Sequence, residues 1–355
     1  MGVEPILKKA LDGERLSMAE GVALLQSNDL VAIGQVAHQI RLRKHPENLV
    51  TFVIDRNINY TNICKVKCRF CAFYRSEDDA DAYVLSYEEI YRKIEETLAV
   101  GGTQILMQGG INPSLPFEWY LDLLKGIKER YNVHIHSFSP PEIVHLAEIS
   151  GLSLKETIAA LREAGLDSIP GGGAEILDNR VRHYISPRKI TWEQWMEVMI
   201  IAHQLGMKTT ATMMFGSVES PEERVAHMVR LREVQDQTGG FTAFIPWSFQ
   251  PLNTELGGTT AGGFEYLKTL AVSRIMLDNF PNIQASWVTQ GSKMAQISLR
   301  FGANDFGGTM LEENVVRAAG VTNRVPMDEI IRCIKDAGHR PAQRDTLYRI
   351  IRYFD

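Results

Sequence analysis

Eight short β-rich runs alternate with helical stretches between about residues 50 and 320, and this alternation restricts the folds open to the chain. The runs cover residues 51–58, 104–108, 133–138, 166–169, 208–213, 241–247, 283–287 and 299–304. The intervening helices open on a repeated signature: Ser86 with Glu89, Ser153 with Glu156, Thr191 with Gln194, and Ser220 with Glu223. In each pair the hydroxyl accepts from an orphan N–H of the first turn, and the longer side chain reaches back to the cap residue. Pro221 strengthens the last, because its missing N–H costs nothing at the first helical position. Gly101, Gly102, Gly165, Gly206, Gly239 and Gly240 precede strands, where a helix end favours a residue free to adopt positive φ.

Strand and helix in such regular succession predict an α/β protein built as a (β/α)8 TIM-type barrel. An open doubly wound sheet is the alternative. Residues 1–45, with a further cap at Ser17 and Glu20, are expected as an N-terminal helical extension, and residues 46–320 as the barrel. Residues 321–355 are expected as C-terminal helices packed on it, with Ile330, Ile331 and Ile334 on one face.

In such a barrel, chemistry belongs to the loops that follow the strands. The loop after the first strand carries three of the four cysteines, Cys64, Cys68 and Cys71. A disulfide framework would spread its cysteines among loops, so a tight triplet points to metal. Structural zinc needs a fourth Cys or His nearby, and neither His45 nor His134 stands at a suitable spacing. Three thiolates on a four-iron cube leave one iron open to a small molecule. Cys333, far downstream on the expected terminal helix, reads as a small buried hydrophobe.

The Cys-x3-Cys-x-Phe-Cys segment is similar to the signature of radical S-adenosylmethionine (SAM) enzymes. That resemblance implies a 4Fe–4S cluster on Cys64, Cys68 and Cys71, with SAM chelating the open iron through its amino and carboxylate groups. The reduced cluster would cleave SAM to methionine and a 5′-deoxyadenosyl radical. By the same resemblance, Gln108, Gly109 and Gly110 would meet the amino group of SAM, and Glu175 its ribose hydroxyls. Arg188 is a candidate for its carboxylate, and Tyr74, Ser137 and Thr212 are further cofactor-binding candidates. Read from the residues alone, the paired and triple glycines, including Gly171, Gly172 and Gly173, are tight turns or sites of close backbone approach. Arg188 serves equally as an exposed helix-end cation. His136, two residues after His134 on the third strand, faces the same way, and His136 or Ser137 is a candidate wall of the substrate site beside Glu142. Asp305, after the eighth strand, is the acid/base candidate, or the cap of a turn.

Further blocks resemble one branch of that superfamily, which serves menaquinone biosynthesis through futalosine and deazaflavin formation. They are Asn57 to Cys64, Cys71 to Arg75, His136 with Phe138, Ser139 and Pro140, and Gln343 to Tyr348. Ile169 to Leu177, Ser286 to Gly291 and Asn304 to Gly307 look most like the family that cyclises dehypoxanthine futalosine. The implied reaction removes the ribose C4′ hydrogen and adds the resulting radical to the attached benzoate ring, with Asp305 or His136 as base. The sister activities, aminofutalosine synthesis and deazaflavin (FO) synthesis, are alternatives, as is a non-catalytic iron–sulfur sensor. A flavodoxin or ferredoxin is the implied electron donor.

Composition excludes several other classes. A net charge of −5 without a basic stripe leaves no electrostatic footprint for nucleic acid. No apolar run approaches the roughly 18 residues of a membrane span. With no secretory pattern at Met1 to Ile6, a cytoplasmic enzyme without membrane insertion is expected.

Overall fold

The computed structural model describes residues 2–354. Three helices, Glu4–Leu11, Met18–Gln26 and Leu30–Lys44, come first. The strands are β1 (Leu49–Val53), β2 (Asp55–Ile58), β3 (Gln104–Met107), β4 (His134–Ser137), β5 (Ser168–Ile169) and β6 (Lys208–Phe215). They continue as β7 (Phe241–Ser248), β8 (Asn282–Ile283), β9 (Asp305–Gly308), β10 (Arg340–Arg344) and β11 (Ile350–Tyr353). From β2 to β8 each strand lies parallel beside the next. A bridge from Gln284 to Asp305 carries the ring on to β9, which pairs in parallel with β1. Since β1 runs into β2 through Ile54, the ring closes as the expected barrel.

The capping residues act as their spacing implies. Reciprocal bonds occur at Ser17–Glu20, Ser86–Glu89, Ser153–Glu156, Thr191–Gln194 and Ser220–Glu223. Each cap is worth about 1 kcal/mol to its helix. Ile58, Ile105, Ile135, Ile169, Met213 and Phe244 are fully buried in the main core. At alternate strand positions Asp55, Asn57, Gln104, Leu106, His136, Thr210, Thr212, Ile245 and Trp247 line a central cavity, as the two-residue period of a strand requires.

Three stretches depart from the sequence expectation, the shortest being 283–287, of which only Ile283 lies in a strand while Trp287 already opens a helix. Residues 299–304 do not form a strand; they finish the helix Trp287–Ser298 in a series of turns, and the strand follows at Asp305. Gly302 turns there with φ +108°, where a Cβ would lie 2.8 Å from Arg274. The C-terminal segment has one helix, Met327–Asp336, burying Ile330, Cys333 and Ile334, and then two strands instead of more helix. The bend at Ile54 explains them. Below it β1 bonds to β10, whereas above it β2 bonds to β3. Thus β10 fills a seam in the barrel wall, and Arg344, Thr346 and Tyr348 come to line the cavity.

Candidate active site

The loop leaving β2 brings Cys64, Cys68 and Cys71 into one small apolar cluster with Val66, Phe70 and Ile111. All three thiols are free. The Cys71 amide donates to the Cys68 carbonyl at 3.1 Å, and the amides of Phe73 and Tyr74 lie toward the Cys71 sulfur. Tyr74 itself is half-buried. Burial raises the Cys68 and Cys71 thiols above their ordinary range, so a metal must draw out the thiolates. Three soft sulfur donors on one short loop fit a 4Fe–4S cube with one iron left open.

The loop after β3 lies directly on the cysteine loop. A Cβ on Gly110 would stand 2.2 Å from the Ile63 carbonyl oxygen, and one on Gly109 would stand 2.6 Å from the Tyr60 ring. Glu142 fixes this contact. Its Oε1 accepts from the Gly109 amide at 3.0 Å and the Tyr60 hydroxyl at 2.5 Å, while Oε2 accepts from the Ser139 amide at 2.7 Å. One buried carboxylate thereby caps the helix Pro140–Ser150 and ties the glycine loop to it.

Beyond β5, Gly171, Gly172 and Gly173 line the cavity. Gly172 is pressed against Gln108, whose Nε2 would be 2.2 Å from a Cβ there. Glu175, with φ +42°, is 5% exposed; Lys189 donates to its Oε1 at 3.1 Å and Arg182 stands 3.7 Å from Oε2. Among the described residues, Glu175 Oε2 has no hydrogen-bond partner. The carboxylate also lines the cavity, and a buried acceptor without a partner suits a ligand hydroxyl. The Thr212 hydroxyl is already engaged, donating to the Gly171 carbonyl at 2.6 Å.

The cavity extends from Glu175 to a polar floor, with a volume of about 270 Å³. Arg344 on the floor donates to Asp305 twice, Nε to Oδ2 at 2.6 Å and Nη2 to Oδ1 at 3.0 Å. Asp305 also accepts from the Thr51 hydroxyl at 2.5 Å and the Gly307 amide at 2.9 Å. Asp55 accepts from Gln104 Nε2 at 3.1 Å and the Met310 amide at 3.0 Å. Burial, with Asp305 adding to it, lifts the Asp55 carboxyl to about 6 against these donors and Arg344. Burial, then His134 and Arg344, drives the His136 imidazole down to about 3.

Gln108, His136, Glu175 and Thr212 therefore meet at one cavity; Gly110 packs on Ile63 and Cys64 of the cysteine loop, and Cys68 lies close enough to Lys189 and Glu175 to feel their charges. Arg188 is exposed, and the cation at Glu175 is its neighbour Lys189. Ser137 Oγ donates to the Met107 carbonyl at 2.6 Å within the wall. Asp305, the expected acid/base residue, is fully buried and saturated by four donors, which suits it to hold Arg344 rather than move protons. The sequence reading missed Asp55, Lys189 and Arg344. Only the polar alternation of Asp55 and Asn57 within an apolar run signalled the first.

Residues 58–231 match the radical SAM superfamily, and residues 238–354 match the CofH/MqnC C-terminal region. The chain is 52% identical to the cyclic dehypoxanthine futalosine synthase of Halalkalibacterium halodurans over 100% of its length and 96% of that protein. It belongs to the radical SAM superfamily. Its cofactors are accordingly a 4Fe–4S cluster and SAM. A second cyclic dehypoxanthine futalosine synthase, from Streptomyces coelicolor, is 44% identical over 98% of this chain and 88% of that protein. The aminodeoxyfutalosine synthase of Thermus thermophilus is 42% identical over 99% of this chain and 96% of that protein. Among solved structures, methylornithine synthase (PylB) shares the fold with a TM-score of 0.75 at 19% identity, covering 95% of this chain and 97% of that one. Among the described residues, no helix of this radical SAM chain is long and apolar enough to cross a membrane.

Proposed function

We propose that this enzyme converts dehypoxanthine futalosine to its cyclic form in menaquinone biosynthesis. The observation that carries the reading is the 52% identity, sustained over the whole chain, to a synthase of that name. Bound and reduced, the cluster would supply the reductive cleavage of SAM, the source of the radical chemistry at the ribose C4′ hydrogen of the substrate.

The protein's part is placement and exclusion of water. Cys64, Cys68 and Cys71 would hold the cluster, with Cys68 on the side of Lys189 and Glu175. The glycine loop pinned by Glu142 offers backbone groups for the SAM amino group, and the Glu175 carboxylate, which lines the cavity, would accept from a ribose hydroxyl. Leu106, Ile245, Trp247 and Trp287 supply apolar walls that keep a carbon radical from quenching, while Gln104, Arg344 and Thr346 form the polar end. The reductant in this reading is a small one-electron carrier such as a flavodoxin or ferredoxin, and the compartment is the cytoplasm.

A second reading, aminodeoxyfutalosine synthesis, draws on the relative of that name at 42% identity. Anaerobic turnover with each enzyme's substrate in separate reactions tests the choice. Cyclised product from dehypoxanthine futalosine alone supports the first reading. Product only with the sister substrate transfers the chain to the second.

A further inference from the structure

Four carboxylates stand in or beside the cavity, and three are committed. Asp305 is held by Arg344 in a two-bonded ion pair. Glu175 has Lys189 and Arg182 beside it. Glu313 accepts from the amides of Val315, Val316 and Arg317 at the start of a short helix. Asp55 differs. It lines the cavity at 2% exposure, and among the described residues no cation stands within ion-pair distance of it.

We propose that Asp55 is the base that takes the ring proton in the last step of cyclisation, an inference that rests on the function proposed above. Adding the C4′ radical to the benzoate ring forms a carbon–carbon bond and leaves an unpaired electron in a ring that has lost its aromaticity. At the attacked carbon the C–H bond then breaks. Its proton goes to an Asp55 oxygen. Of the two bond electrons and the unpaired one, two restore the π system and one leaves to a one-electron acceptor, an oxidised iron–sulfur centre.

The surroundings suit that task. Each Asp55 oxygen receives one neutral donor, Gln104 Nε2 or the Met310 amide, and keeps a lone pair for a proton. From β10 the charge of Arg344 faces it, but Asp305 on β9 already neutralises that charge. Burial therefore leaves Asp55 with a raised proton affinity, near 6, close to that of a working general base. His136, with its imidazole driven to about 3 and Nδ1 on Ser168 Oγ at 2.7 Å, binds a proton far less well.

The test compares the reconstituted wild-type enzyme with Asp55→Asn and Asp55→Ala, reading deoxyadenosine and cyclised product separately. Both variants should still form deoxyadenosine while product per deoxyadenosine falls at least 100-fold. Added formate should restore product to Asp55→Ala but not to Asp55→Asn, whose amide leaves no hole. In the wild type the product-to-deoxyadenosine ratio should fall as pH drops through about 6, whereas in Asp55→Asn it should be flat. Product within threefold of wild type in Asp55→Asn overturns the assignment. So does loss of deoxyadenosine and product together, which would make Asp55 a substrate-positioning residue. A wild-type enzyme that forms deoxyadenosine from a sister substrate but never cyclises dehypoxanthine futalosine fails the function proposed above, a result separable from failure of Asp55 alone.

Discussion

Arg344, on a strand added near the C-terminus, grips Asp305 through two parallel hydrogen bonds, although 39 residues separate them in the chain. The pair is fully buried, so removing one charge strands the other. Asp305→Asn should therefore destabilise the fold by about 3–5 kcal/mol, read by urea denaturation. A variant with unchanged stability and no cyclisation would instead return Asp305 to an acid/base role.

Glu175 and Arg188 were both candidates for SAM, but only Glu175 lines the cavity, Arg188 being exposed. Losing one hydrogen bond to a charged group costs about 1.5–3 kcal/mol, roughly 10- to 100-fold in affinity. Calorimetric titration with SAM should show that loss in Glu175→Gln and near wild-type affinity in Arg188→Ala. Equal losses in the two would put the SAM carboxylate at Arg188 after all.

The cysteines divide three to one. Replacing Cys64, Cys68 or Cys71 by Ala should abolish the visible iron–sulfur absorption of the reconstituted protein. Cys333→Ala should keep it, at a stability cost of about 1 kcal/mol for the buried sulfur lost from the core.

Acid should weaken the fold through its buried imidazoles. His136, His227 and His339 are held near 3 and His203 near 4, by burial first in every case. Unfolding returns them toward 6.5, so below that pH the unfolded chain binds more protons, and stability present above 6.5 is lost as pH falls toward 4. Asp55 acts the other way: its folded value near 6 relieves a cost as pH falls from 6 to its ordinary 3.8. Four groups outweigh one. The unfolding free energy read by urea denaturation should drop from pH 7 to 5, on average by more than about 1.4 kcal/mol per pH unit, and a flat profile would mean that these imidazoles are solvated.

Local signals were legible in the sequence. The five cap pairs, the strand period and the cysteine spacing all act within a few residues, and the barrel and cluster loop follow from them. What escaped depends on distant partners. The β10 segment, Arg-Pro-Ala-Gln-Arg, shows no apolar alternation because its inward groups serve the cavity floor and its edge completes β1. Asp55 sat inside a run read as one strand, and only the change of partners at Ile54 splits that run and turns the carboxylate inward. Asp305 looked reactive because Arg344 lay out of view. Lys189, next to the chosen Arg188, shows how a turn of one residue decides which cation enters a site.

Dehypoxanthine futalosine carrying deuterium at ribose C4′, turned over anaerobically with SAM and reductant and read by mass spectrometry, follows the abstracted hydrogen itself. Abstraction at C4′ followed by cyclisation gives deoxyadenosine heavier by one deuterium and a cyclised product that has lost the label and one ring hydrogen. Unlabelled deoxyadenosine, or a product that keeps its deuterium, would contradict abstraction there.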